Sequence, residues 1–141
     1  MEKIDRIKIY VIGILALVVI MSFVVSPDQE KSKPWDIPGD YDSMQNPYAD
    51  EKEDLMDVGK SLYSKHCKSC HGTEGLGDGT KAEELDTFPG DFSTKEFQAQ
   101  TDGALFYKLT EGRDEMPEFT KKIPEEEDRW MIVNYMRTLA E

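Results

Sequence analysis

A chain of 141 residues has room for one compact domain with extensions. Its 29 acidic residues outweigh 17 basic ones, for a net charge of −12, which argues against direct binding of nucleic acid or anionic lipid and for partners that carry basic patches. Only two cysteines and two histidines are present, all between His66 and His71, and near-consecutive side chains do not easily surround one tetrahedral zinc ion.

The charge is uneven along the chain. Residues 1–25 carry a balance of +1, from Lys3, Arg6 and Lys8 against Glu2 and Asp5, so the remainder carries −13. From Ile9 to Val25 runs an uncharged apolar segment of 17 residues. At about 1.5 Å per residue it falls slightly short of a hydrocarbon core of roughly 30 Å, and Arg6 and Lys8 can snorkel to make up the difference. A cleaved secretory signal is the rival reading, but Phe23-Val24-Val25-Ser26-Pro27 makes a poor cleavage site. The expectation is an uncleaved N-terminal anchor, one transmembrane helix, within residues 1–25. Its basic flank comes first and acidic residues (Asp28, Glu30, Asp36, Asp40) follow. The positive-inside rule then keeps the amino terminus in the cytoplasm and exports the rest. That describes a single-pass protein of a bacterial inner membrane with its body facing the periplasm.

Residues 26–50 read as a proline-rich acidic linker, punctuated by Pro27, Pro34, Pro38 and Pro47. Such a composition favours an extended spacer. Trp35, Ile37, Tyr41, Met44 and Tyr48 are larger than a spacer requires. Trp35 either lies at the membrane interface, packs on the body of the chain, or belongs to a docking strip for a membrane partner.

Residues 51–141 form the body. These 91 residues make a thin core, which a large apolar cofactor would complete. Leu55, Val58, Leu62 and Tyr63 fall at helical spacing behind acidic residues, predicting a helix from Glu53 to Lys65. Gly59 shares a face with Tyr63 and would let another helix approach. The helix delivers the chain into Cys67-Lys68-Ser69-Cys70-His71, which reads C-x-x-C-H, the attachment signal for a c-type haem. Each thiol can add to one vinyl group of the porphyrin, and His71 is aimed at the iron as its proximal ligand. A thioredoxin-like redox pair would need a βαβ context, and none is visible in the sequence.

The glycine-rich run Gly72–Gly79 follows. It lacks the preceding strand and the Lys-Ser/Thr pair of a phosphate loop, so it reads as a tight loop at the haem edge. Lys81–Leu85 predicts a turn of helix, Pro89–Phe92 a turn, and Phe92 and Phe97 core positions. Pro89 offers the candidate carbonyl for the free ring N–H of His71, since ligating histidines need such a partner. Asp102 is expected to cap a helix ending at Glu111, with Gly112 as its stop. A last helix follows Pro124, its positive end complemented by Glu125, Glu126 and Glu127. No convincing strand pattern appears, so the fold class is all-α.

A six-coordinate iron needs a ligand opposite His71, and thioether sulfur suits the ferrous state. Met131 and Met136 fit the last helix as core filler, and Met44 and Met56 precede the haem motif. Met116 stands in the irregular segment Gly112–Phe119, where a loop can carry its sulfur across the porphyrin. It is the candidate, with His66 or an open site as the alternatives.

With these residues in view, the body resembles the monohaem class I cytochrome c family over roughly residues 55–140. Gly59-x-x-x-Tyr63, Cys67-x-x-Cys70-His71-Gly72, Met116-Pro117 and Trp130…Tyr135…Leu139 keep the family's order. Asp78, Asp91-Phe92, Asp102–Phe106 and Met116-Pro117-Glu118-Phe119 are similar to a subgroup whose members are often membrane-anchored or serve as haem domains of respiratory complexes. The resemblance implies a cytochrome c fold around one covalent haem c, with crossing first and last helices and Gly59 and Tyr63 against Ile132 and Tyr135. It departs at Ile123-Pro124, where the family often has a Ser or Thr cap. The implied role is electron transfer rather than catalysis. The leading expectation is a membrane-anchored carrier of single electrons from a quinol-oxidising complex towards a terminal oxidase. The rivals are a fixed haem c subunit of a quinol-oxidising complex, a haem-copper oxidase or a nitric oxide reductase, and an open-iron protein that handles peroxide or a diatomic gas.

Overall fold

The computed structural model describes residues 33–50 and 53–140, without the side chains of Glu53 and Asp54. The predicted anchor and the first part of the predicted linker lie outside the described residues. Among the described residues no helix is long and apolar enough to cross a membrane.

The fold is helical, as the sequence predicts. In chain order the elements are α1 (Gly39–Asp42), α2 (Glu53–His66), α3 (Lys68–His71), a 3₁₀ turn (Ala82–Glu84), α4 (Lys95–Gln98), α5 (Asp102–Glu111) and α6 (Glu126–Arg137). Extended pairing among the described residues is limited to an isolated antiparallel bridge between Arg113 and Met116.

The core is the crossing of α2 and α6, with α5 packed alongside. Tyr63, Leu105, Trp130, Met131, Ile132 and Val133 are almost fully buried. Gly59 lets the two long helices touch: a Cβ there would lie 2.1 Å from the Met131 carbonyl oxygen and 3.2 Å from Tyr135 Cβ. The resemblance named Ile132 and Tyr135 as the partners of this crossing; the backbone that meets Gly59 is Met131's, one residue earlier. The Tyr63 and Tyr135 rings sit 5.1 Å apart. Trp130 stacks on Phe106 at 4.0 Å between ring centroids, which joins α6 to α5. Buried Arg129 donates to the carbonyls of Ile123 and Pro124, holding the turn that leads into α6.

The cap of α5 differs from expectation. Thr101 is the N-cap, and its hydroxyl accepts from the Ala104 N–H at 3.0 Å. Thr101 is extended (φ −69°, ψ 153°), the backbone geometry an N-cap requires. Asp102 is thereby freed to pair with Arg137 at 2.7 Å. Arg137 also donates to the carbonyls of Gln98 and Gln100, tying the end of α6 to the α4–α5 connection.

Residues 33–50 lie against this domain. Tyr41, Met44 and Tyr48 pack on the core. Gly103 on α5 admits them, because a Cβ there would lie 1.9 Å from the Tyr41 carbonyl oxygen. Asn46 donates to Asp102 and Asn134, and Asn134 donates to the Tyr48 carbonyl.

Candidate haem site

Helix α2 runs straight into the C-x-x-C-H stretch. The Cys67 N–H donates to the Tyr63 carbonyl at 2.8 Å, and one further turn follows, with the N–H groups of Cys70 and His71 both donating to the Cys67 carbonyl. The two thiols therefore start and end a single helical turn. Cys67 is buried, Cys70 half-buried, and neither is in a disulfide. The glycine loop then wraps back on the motif: Gly77 N–H donates to His71 O at 2.9 Å and Gly79 N–H to Cys70 O at 3.1 Å. Gly72 takes φ +83°, and a Cβ there would meet the Asp78 carboxylate at 1.9 Å, so only glycine leaves the turn unstrained. Tyr63 donates its hydroxyl to the Gly72 carbonyl at 2.8 Å, fastening the loop to α2.

Burial sets the chemistry of these groups. It pushes the Cys67 thiol up to about 12, helped by the neighbouring Cys70. A redox-active C-x-x-C pair needs a thiol lowered towards neutrality, so this site is tuned the wrong way for thiol exchange. Burial also presses His71 down to about 4, with the Pro89 carbonyl pulling weakly the other way. A neutral imidazole is the form that ligates a metal. His71 Nδ1 is sealed from solvent and has no hydrogen-bond partner. The Pro89 carbonyl acts on the ring without completing a bond to that nitrogen. The His71 ring lies 4.6 Å from that of Phe92, which stacks on Phe97 at 4.3 Å.

Two adjoining cavities open beside this turn, of about 110 and 300 Å³, and Trp35, Cys67, His71, Pro89 and Met116 line both. Cys70 and His66 line the smaller one, and Leu105, Leu109 and Met136 the larger. Met116 enters on the loop after α5. Gly112 turns that loop at φ +65°, and Arg113 and Met116 exchange both backbone hydrogen bonds, at 2.8 and 2.9 Å. The Glu115 carboxylate accepts from the N–H groups of Asp86 and Thr87 and from the Thr87 hydroxyl, which pins the methionine loop to the segment leading to Pro89. These bonds, Asp86 first, hold Glu115 below the usual carboxylate range.

Of the predicted site residues, Cys67, Cys70, His71 and Met116 thus converge on one pair of cavities. Met131 is buried in the helix crossing, while Met136 is buried yet lines the larger cavity. Among the lining residues outside the predicted site are Trp35, Lys108 and Arg113. Trp35 had a signal, its size within a spacer-like stretch; the two cations had none. The residues present fit haem c. Two thiols, a buried imidazole with an unsatisfied nitrogen and a thioether surround a largely apolar space.

The family described as cytochrome c oxidase, cbb3-type, subunit III has a model that matches residues 54–136. Among solved structures, the chain is similar to the KustC0563 c-type cytochrome, with 30% identity and a TM-score of 0.53 over 59% of this chain and 98% of that one. It is also similar to a chain of the Kuenenia stuttgartiensis reducing HAO-like protein complex Kustc0457/Kustc0458, with 30% identity and a TM-score of 0.58 over 64% of this chain. There it spans less than half, 46%, of the other chain. No curated protein matches.

Proposed function

The chain belongs to the cbb3-type subunit III family of monohaem class I cytochromes c, electron carriers with covalently bound haem c, and from that premise we propose how this chain holds the haem and where it works. Cys67 and Cys70 would hold the haem through two thioethers, and His71 and Met116 would supply the ligands to its iron. The observation that carries this reading is that all four line the smaller cavity, and Cys67, His71 and Met116 also line the larger one. Bound haem c supplies one-electron cycling between the ferric and ferrous states. The protein's part is to keep His71 neutral by burial, to offer the Pro89 carbonyl to its ring N–H, and to hold Met116 on a loop braced by Glu115. With both His71 and Met116 engaged, the iron would have no position left for a substrate, which supports electron transfer over catalysis.

The segment Ile9–Val25 anchors the protein in a bacterial inner membrane with the haem domain in the periplasm. There it carries electrons from a quinol-oxidising complex towards a terminal oxidase, docking through its acidic body on basic partner surfaces. A second reading, a fixed haem c subunit of a larger oxidoreductase complex, is favoured by the packing of residues 33–50 on the domain. Only residues 26–32 then separate domain from anchor, and seven residues reach at most about 25 Å.

Purification of the tagged protein from membranes in mild detergent tests both. A carrier comes away alone with reduced-minus-oxidised c-type bands, and its reaction with a separate partner slows as salt rises. A fixed subunit co-migrates with the other subunits of its complex. A membrane fraction without c-type bands would refute both.

A further inference from the structure

Haem carries two propionate carboxylates, and an anion in an apolar cleft is costly unless it is paired. The cavities beside the C-x-x-C-H turn are lined, among the described residues, by one lysine and one arginine, Lys108 and Arg113. Both belong to one cluster. Arg113 lies over the Trp35 ring with its guanidinium carbon 4.2 Å from the centroid, and Lys108 Nζ lies 5.6 Å from the same centroid. Arg113 donates to the carbonyls of Lys33 and Pro34, at 2.8 and 3.1 Å, so the segment before α1 is fastened to the wall of the cleft. Trp35 also meets the Tyr107 ring of α5 edge-on at 6.3 Å.

The cluster is short of negative charge. Lys108 donates to the neutral side-chain oxygen of Gln100, and among the described residues no carboxylate lies within ion-pair distance of it. Burial, and then the nearby Arg113, press its pKa down to about 8. Arg113 does pair with Asp114 at 3.3 Å, but that carboxyl side chain is 68% exposed. The cleft lining also holds Asp91, Glu96, Asp114 and Glu115, but Asp91 accepts from Ser93 and Glu115 from Asp86 and Thr87, Glu96 is exposed, and none of the four pairs with Lys108. A carboxylated ligand in the cleft would give Lys108 the partner that the protein itself does not.

We propose that Lys108 and Arg113 seat the haem propionates, and that Trp35, supplied by a segment outside the family match, closes that side of the cleft. The inference rests on the reading of the site as a haem c site. Each cation also disfavours the ferric state, and so contributes to a raised reduction potential.

The test uses the full-length holoprotein in detergent, with haem attachment first verified by the mass of the polypeptide. In Lys108→Gln the ferrous-to-ferric ratio at fixed electrode potential falls about tenfold, which is about 59 mV for a one-electron couple, and the propionate bending vibration in the resonance Raman spectrum shifts. Arg113→Gln changes both readouts in the same direction, Lys108→Arg restores them, and Lys60→Gln, on the exposed face of α2, changes neither. Should Lys108→Gln fail to mature, Arg113→Gln carries the same test. If haem stays covalently attached while both charge deletions leave potential and vibration unchanged, the propionates are seated elsewhere. A wild-type polypeptide without the added haem mass would instead refute the reading beneath.

Discussion

Gly59→Ala is the most direct test of the framework that supports the cleft. The added Cβ would stand 2.1 Å from the Met131 carbonyl oxygen, whereas real contacts of this kind essentially never fall below 3.0 Å. Helices α2 and α6 must therefore part by about 0.9 Å. The colliding atom is backbone, so no rotamer change relieves it. The helices cross over Tyr63, Met131, Ile132 and Val133, all nearly fully buried. Overpacking of this kind costs about 1–3 kcal/mol. Alanine returns about 0.5–1 kcal/mol over glycine within a helix. The two ranges leave a net loss of up to about 2.5 kcal/mol; with a backbone clash in a nearly fully buried crossing the upper part of that range is expected, about 1–2.5 kcal/mol, and at roughly 4–8 °C per kcal/mol for a domain of this size the melting temperature falls by roughly 4–20 °C. The assay is thermal unfolding of the holoprotein followed by far-ultraviolet circular dichroism, with haem attachment verified in both proteins. A variant that melts at or above the wild type would show that the crossing accepts a methyl group, and the account of the core would fail.

Met116→Ala should abolish the methionine-to-iron charge-transfer band at the red end of the ferric spectrum and lower the reduction potential, with haem still attached; a surviving band would assign the sixth ligand to another side chain. Gly103→Ala would set a Cβ 1.9 Å from the Tyr41 carbonyl oxygen and 3.0 Å from Met44 Cβ, so residues 33–50 should lift off α5 and be cleaved faster in limited proteolysis, whereas unchanged protection would refute their tight seating. Arg137→Ala removes a part-buried pair with Asp102 and two charge-assisted bonds to backbone carbonyls, and should lower stability by about 2–3 kcal/mol, read from the denaturant midpoint at unchanged slope. A change below about 0.5 kcal/mol would put Arg137 among ordinary surface residues.

What could be read in advance follows the range of the interactions. Helix α2 was legible because its apolar spacing and acidic start are local, and the C-x-x-C-H turn because two thiols and an imidazole must sit within one helical turn to serve one porphyrin. Met116 could be proposed as the sixth ligand by elimination, since Met131 and Met136 fitted the last helix and Met44 and Met56 precede the haem motif; that Met136 also lines the larger cavity was beyond such reasoning. The α5 cap failed on a choice between adjacent residues that both cap well. Thr101 takes the cap, and Asp102 turns instead to Arg137, a partner 35 residues away that no local rule discloses. The same limit applies to Pro34–Tyr48. Its prolines describe the stiffness of a spacer but not the groove at Gly103 in which Tyr41 and Met44 rest. Trp35, Lys108 and Arg113 come from three separate stretches and meet only because α5 and its following loop bring them to one edge of the cleft. The residues that attach a haem are written side by side, whereas those that set its electrostatic surroundings are assembled by the fold. Differences in potential between relatives sharing the C-x-x-C-H turn should therefore track that assembled wall rather than the motif.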